Sequence, residues 1–103
     1  MIKVSVFYPN RGGSKFDMDY YLSKHIPMIQ QKMGAALKGV SVEQGVAGAQ
    51  PGTQATYRII AHLAFDSVDT FLGAFGPVAA QVQGDVRNYT DIEPVIQISE
   101  VKM

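Results

Sequence analysis

Between Tyr57 and Phe65 the chain alternates without a fault. Tyr57, Ile59, Ala61, Leu63 and Phe65 fall on one face, and Arg58, Ile60, His62 and Ala64 on the other. A period of two predicts a strand, and a strand with one wholly apolar face must be covered on that side. The same alternation opens the chain from Ile2 to Tyr8, with Ile2, Val4, Val6 and Tyr8 facing one way and Lys3, Ser5 and Phe7 the other. Val40 to Val46 and Ile92 to Val101 complete four predicted strands. The breaker cluster Pro9-Asn10-Arg11-Gly12-Gly13-Ser14 ends the first, and the Gly- and Pro-containing stretch from Gly45 to Gln54 joins the second to the third.

Two intervening stretches carry the helical period instead. Asp17 is placed to cap the first, its carboxylate accepting free amides of the opening turn. Phe16 and Tyr21 are spaced to close that end as a hydrophobic staple. The helix runs to about Met33, where Gly34 supplies a stop. Met18, Tyr21, Leu22, His25, Ile29 and Met33 form its apolar stripe. Pro27 removes the amide that would bond the Ser23 carbonyl, so a kink or local loosening is expected beside His25. Ser67 caps the second helix, whose stripe reads Val68, Leu72, Phe75, Ala79 and Val82, with Gly76-Pro77 as a break and Gly84 to Thr90 as a loop.

The resulting order, βαββαβ, predicts a single α+β domain over residues 1–103: a ferredoxin-like antiparallel sheet with two helices on one face. The other sheet face is mixed. Phe7, Ile60, Ala64 and either Val95 or Ile96 lie among Lys3, Ser5, Arg58, His62, Gln97 and Ser99. Such a face suits packing against a second copy, and a homodimer is expected. A chain this short also gains stability from association.

Composition removes several function classes. Nine basic and nine acidic side chains cancel and no Lys or Arg run occurs, so no nucleic-acid partner is expected. Without cysteine there is no disulfide and no thiolate nucleophile or ligand. No leader-like pattern and no apolar run of bilayer length occur, so no membrane partner is expected and a cytoplasmic location is. Two histidines on different elements give no metal-ligand spacing. Arg11-Gly12-Gly13-Ser14 lacks both the lysine of a phosphate loop and the three glycines of a dinucleotide site. Neither metal nor organic cofactor is expected.

Chemistry concentrates in two segments. In Asp17-Met18-Asp19-Tyr20-Tyr21-Leu22-Ser23-Lys24-His25-Ile26-Pro27-Met28, Tyr21 and His25 are four residues apart and share the helix face turned to the sheet. An imidazole takes and returns protons near neutral pH, and a neighbouring phenol polarises an oxygen or holds the ring. Equally, such a histidine can be a structural one, bonded to the carbonyl of Ser23 that Pro27 leaves free. Which of Tyr20 and Tyr21 faces the cleft is open, because the Pro27 kink blurs the helix phase. The second segment, Asp85-Val86-Arg87-Asn88-Tyr89-Thr90-Asp91-Ile92, reads as a polar loop feeding the last strand. His62 shares a face with Arg58 and reads as an interface hydrogen bonder.

Ile2 to Tyr8, the Tyr-Tyr-Leu-Ser-Lys-His-Ile-Pro core of the run Phe16 to Pro27, and Asn88-Tyr89-Thr90-Asp91-Ile92-Glu93-Pro94-Val95-Ile96 together resemble the EthD family. That family is named for bacterial degradation of ethyl tert-butyl ether. The resemblance implies a dimeric α+β barrel, two ferredoxin-like sheets packed face to face with helices outside. It implies a ligand cleft between each sheet and its own helices, and it marks Tyr20, Tyr21, His25, Pro27, Tyr89, Thr90 and Asp91. Domains similar to these act as dehydratases, decarboxylases or cyclases of polyketides, and relatives on the same barrel include monooxygenases, lactone isomerases and haem-degrading enzymes.

The leading expectation is a cofactor-free enzyme acting on a small, flat, mostly apolar or aromatic substrate. His25 serves as base and acid, Tyr21 or Tyr89 polarises an oxygen, and Asp91 orients a partner. Tyr8, Tyr20, Tyr89, Thr90 and Phe75 contact the substrate, in a cleft also lined by Val4, Val6, Leu63 and Ile98 or its neighbours. The reaction is a proton transfer beside a carbonyl, covering dehydration, decarboxylation or isomerisation. The alternatives are a non-catalytic accessory protein that sequesters an intermediate or supports an oxygenase, and haem binding with His25 as axial ligand.

Overall fold

The computed structural model describes residues 1–103. Its four strands form one antiparallel sheet in the order β2-β3-β1-β4, the ferredoxin-like arrangement of an α+β fold. β1 (Ile2–Pro9) and β3 (Tyr57–Phe65) are the central pair, and β2 (Gly39–Gln44) and β4 (Val95–Glu100) are the edges. Val4 lies opposite Leu63 on one side and Ile98 on the other, and Val6 opposite Ala61 and Ile96. Opposed residues share a face, so the apolar sets of the strands merge into one surface under the helices. Val95, opposite Phe7, is therefore the outward residue of the Val95/Ile96 pair.

Both edge strands are shorter than the pattern suggests. β2 ends at Gln44 rather than Val46. β4 begins at Val95 rather than Ile92, because Pro94 has no amide for the ladder and local bonds hold the preceding segment. Thr90 bridges Phe16, and the Ile92 amide donates to the Thr90 hydroxyl at 3.1 Å.

The first helical stretch comprises α1 (Met18–Tyr20), a π-helical turn over Tyr21–His25, and α2 (Ile26–Met33). Asp17 caps it, accepting the Tyr20 amide at 3.0 Å, and the Phe16 and Tyr21 rings meet at 5.0 Å. The loosening tied to Pro27 takes the form of the π turn, in which the Ile26 amide reaches back five residues to the Tyr21 carbonyl. Pro27 then falls in the first turn of α2, where its missing amide costs least. The wider turn brings Tyr21, His25 and Ile26 all to the sheet and leaves Leu22, expected on the apolar stripe, half exposed. Gly34 ends the stretch at a positive φ of 57°.

The second stretch is more continuous than expected. Ser67 caps α3 (Val68–Phe75), accepting the Thr70 amide at 3.1 Å. A 3₁₀ turn at Gly76–Val78 leads into α4 (Ala79–Asp85), and another at Val86–Asn88 extends it. Gly76-Pro77 tightens the helix without ending it. The buried positions are Phe71 and Val82, with Phe75 and Val78 packed beside them, whereas Val68 and Leu72 of the expected stripe are exposed. Residues 84–88 are thus helical rather than loop, and that places Asp85 against Tyr20 and His25 of the first helical stretch.

Candidate functional site

Between the sheet and the helices lies a cavity of about 280 Å³. Val4, Val6 and Leu63 line it from the sheet, Ile29, Phe71 and Phe75 from the helices, and Pro94 and Ile96 from the β4 edge. Sixteen of its 19 lining residues are hydrophobic and none is Lys, Arg, Asp or Glu. Apart from Gln83, its polar groups gather where Tyr8, Tyr21, His25 and Tyr89 meet.

Those groups form a chain. The Tyr8 and Tyr89 hydroxyls lie 2.7 Å apart, and the Tyr89 hydroxyl lies 3.3 Å from Nε2 of His25. Nδ1 of His25 lies 2.8 Å from Oδ2 of Asp85. Oδ1 of Asp85 accepts from the Tyr20 hydroxyl at 2.7 Å and from Nδ2 of Asn88 at 2.8 Å. Tyr21 stacks on the His25 ring, 5.4 Å away and inclined by 17°.

Burial fixes the protonation pattern. It pushes the His25 imidazole below its usual 6.5, against the opposing pull of Asp85. Burial also raises Asp85, but hydrogen bonds from Tyr20, Asn88 and His25 outweigh it and hold the carboxyl below 3.8. Asp85 is therefore an acceptor only, so Nδ1 of His25 donates to it. A neutral ring then presents a bare Nε2, to which Tyr89 donates, and Tyr8 donates in turn to Tyr89. Burial lifts the phenols of Tyr8, Tyr21 and Tyr89 far above their usual value, so they remain protonated donors at any ordinary pH.

Tyr8, Tyr21, His25, Tyr89 and Phe75 of the sequence-derived set all line this cavity. Tyr20 does not; it turns outward to Asp85, which decides between the two adjacent tyrosines. Thr90 is buried below the site, its hydroxyl donating to the Lys15 carbonyl. Asp91 requires a correction as an orienting group: its carboxylate is exposed, accepts the Lys15 amide at 2.9 Å and does not reach His25. Of Ile98 and its neighbours on β4, Ile96 is the one on the lining. The Ser23 carbonyl is not the partner of His25; Asp85 is. Sequence reasoning assigned no role to Asp85, and its signal was the helical period running on through Gly84 with an acidic residue at the end. An iron at Nε2 of His25 would need Tyr89 to leave. No group of three or more His, Asp or Glu side chains placed to hold a metal ion gathers anywhere in the chain.

A family model for the EthD domain matches residues 14–93. An EthD-like protein of Ralstonia eutropha JMP134 is 40% identical over 99% of this chain and 92% of its own, with a TM-score of 0.94. The chain belongs to the EthD family. An EthD family protein of Bacillus halodurans C-125 shares the fold at 15% identity, covering 98% of each chain with a TM-score of 0.66. So does a dimeric ferredoxin-like protein of unknown function from Thermobifida fusca YX, at 14% identity over 97% of this chain and 90% of that one, TM-score 0.57. No curated protein matches. The EthD match spans every element that builds the cavity's polar end except β1, which contributes Tyr8. No helix of this EthD chain is long and apolar enough to cross a membrane.

Proposed function

We propose that this single-domain EthD protein is an enzyme that moves a proton on a small, flat, mostly apolar substrate with its own side chains alone. The observation that carries the reading is the His25–Asp85 pair at the polar end of an otherwise apolar cavity. A depressed pKa keeps His25 in its basic form near neutral pH, and Asp85 stabilises the imidazolium once a proton arrives. The proton comes from carbon or oxygen next to a carbonyl or phenol, directly or through Tyr89. A substrate oxygen that replaces Nε2 or a neighbouring hydroxyl as acceptor meets the protonated phenol of Tyr8, Tyr21 or Tyr89, which stabilises the negative charge developing there. Return of the proton to another carbon gives isomerisation, to a departing hydroxyl dehydration, and to a carbanion left by loss of carbon dioxide decarboxylation.

The test is NMR titration of His25 with and without a panel of phenols, lactones and β-keto acids. The reading expects His25 to respond to a ligand whose own signals change with time. It expects His25→Ala to abolish that change, and undiminished turnover in His25→Ala would end the assignment.

A second reading draws on the dominance of hydrophobic lining and on both ring nitrogens of His25 being already engaged: an accessory protein that holds an intermediate for an oxygenase. A ligand bound tightly and recovered unaltered after long incubation supports it.

The functional unit we propose is a homodimer in the cytoplasm, formed through the outer sheet face. There Phe7, Ile60 and the exposed Val95 lie in one cross-strand row. The dimeric description of the Thermobifida relative is in keeping with it. A monomeric mass at micromolar concentration argues against it.

A further inference from the structure

Three donors converge on one carboxylate at the surface end of the site, and the proposed reaction uses only one of them. Oδ2 of Asp85 serves His25 alone, while Oδ1 takes both the Tyr20 hydroxyl and the Asn88 amide. The two come from different parts of the fold. Tyr20 closes α1, and Asn88 ends the 3₁₀ turn that extends α4.

We propose that Tyr20 and Asn88 are positioning residues that clamp the outer oxygen of Asp85, so that its inner oxygen receives Nδ1–H of His25 and Nε2 stays unprotonated as the acceptor facing Tyr89.

The need for a clamp follows from the burial gradient. His25 is 3% exposed, but the Asp85 side chain is 15% exposed and stands at a helix end beside water. A carboxylate there must give up water for the imidazole N–H and loses rotamer freedom in doing so, which offsets part of what the bond contributes. Left alone it would turn out and solvate. Two donors at 2.7 and 2.8 Å on the far oxygen fix its torsion with Oδ2 aimed inward. Because a carboxylate has no proton to give, both contacts must run toward it, and no rearrangement of hydrogens within the cluster can reverse them. The same donors keep Asp85 ionised despite its partial burial.

Tyr20 contributes a second contact of the same kind. Its ring lies against that of Tyr89, 6.3 Å between centroids and inclined by 24°. The phenol that fixes the acceptor for Nδ1 thus also backs the phenol that faces Nε2. This accounts for two consecutive tyrosines pointing apart: Tyr21 forms cavity wall, and Tyr20 holds the machinery behind it. The inference rests on the reading of His25 as the base, but its test does not depend on turnover.

That test is the ring-nitrogen NMR spectrum of His25 in ¹⁵N-histidine-labelled protein at about pH 8, where the imidazole is neutral. Wild type, Tyr20→Phe, Asn88→Ala, the double variant and Asp85→Ala are compared. Wild-type His25 is expected in the Nδ1–H form. In the double variant the ratio of Nδ1–H to Nε2–H is expected to fall roughly tenfold, the equilibrium weight of one charge-assisted hydrogen bond, and to approach that of Asp85→Ala. Each single variant should fall between. A tie that merely joins two helices would lower the denaturation midpoint and leave the tautomer ratio unchanged, and that result overturns the proposal. If the double variant does not fold, the singles decide: Tyr20→Phe keeps the ring on Tyr89 and removes only the hydroxyl, so wild-type ratios in both singles also overturn it. A wild-type His25 that is Nδ1–H but responds to no substrate would instead defeat the base reading while leaving the clamp intact.

Discussion

The chain has two histidines, and both have a hydroxyl at one ring nitrogen and a carboxylate at the other. His25, on the π turn, meets Tyr89 and Asp85; His62, on β3, meets Ser5 at 2.9 Å and Glu43 at 3.6 Å. Only the first row resembles a reactive centre, and residue type does not explain the difference. Asp85 is gripped by three donors and is 15% exposed, whereas Glu43 is 60% exposed and stands beyond hydrogen-bond length. His25 borders a largely apolar cavity under the helices; His62, 26% exposed, lies on the outer sheet face among Phe7, Ile60 and Ala64. A hydroxyl–imidazole–carboxylate row thus occurs twice in this one chain, and enclosure with a fixed acceptor is what sets His25 apart.

The largest expected effect tests that grip. Asp85→Ala leaves Nδ1–H of His25 buried without an acceptor and should lower stability by about 1–3 kcal/mol. Glu43→Ala removes an exposed partner and should stay within about 0.5 kcal/mol. Urea denaturation of both, at a protein concentration low enough to hold the monomer, gives the difference. Equal losses would erase the distinction between the two sites.

The next is the acid limb of stability. His25 has a folded pKa below the 6.5 of the unfolded chain, through burial, so the unfolded state takes up a proton first as pH falls. Stability is full above about 6.5 and declines from there toward the folded value. Asp85, held below 3.8, adds a further loss under about 3.8 as its own folded pKa is approached. His25→Gln should flatten the upper part of this limb. A limb that starts near 6.5 unchanged in that variant would assign it to another group and remove the evidence that burial tunes His25.

The contrast between the two histidines also explains what the sequence revealed and what it hid. His62 was legible because strand parity decides its face: Arg58, Ile60, His62 and Ala64 alternate outward, and β3 has the bounds its pattern suggests. The cavity walls Val4, Val6, Tyr8 and Leu63 were readable for the same reason. Around His25, direction depends on helix register, and two small irregularities shift it. The π turn sends Leu22 outward, and the 3₁₀ turn at Gly76–Val78 lies between Phe71 and Val82, the two buried positions of the second stretch. Asp85 was hidden by a third such feature, since Gly84 reads as a helix stop yet the helical run passes through it. Contacts between residues 60 apart, such as His25 and Asp85, leave no local period at all.

A smaller effect measures coupling inside the site. Tyr8→Phe and Tyr89→Phe each remove one end of a 2.7 Å contact between buried hydroxyls. The double-mutant cycle should return about 1 kcal/mol of coupling. The corresponding cycle for Ser5→Ala and His62→Ala, on a partly exposed pair, should return less. A coupling near zero for the tyrosines would mean that their hydroxyls are satisfied independently, and the chain of donors ending at Asp85 would be broken at its first link.

The smallest effect separates backbone from packing as the cause of His25's direction. Pro27→Ala restores an amide within reach of the preceding turn and frees the unfolded chain, at an expected loss of about 0.4–1 kcal/mol. If Pro27 alone imposes the π turn, the variant regains an α register, Leu22 rotates inward, and His25 turns off Asp85. Packing argues otherwise. Tyr21 is sealed between Tyr8, Phe16 and Tyr89, and an α register would have to expel its ring or that of His25 from that enclosure. The expected result is therefore a slightly less stable protein whose His25 still shows Nδ1–H and ring-current shifts from Tyr21. Loss of both signals would reverse the comparison, making the buried histidine as much a product of local backbone as the one on the strand.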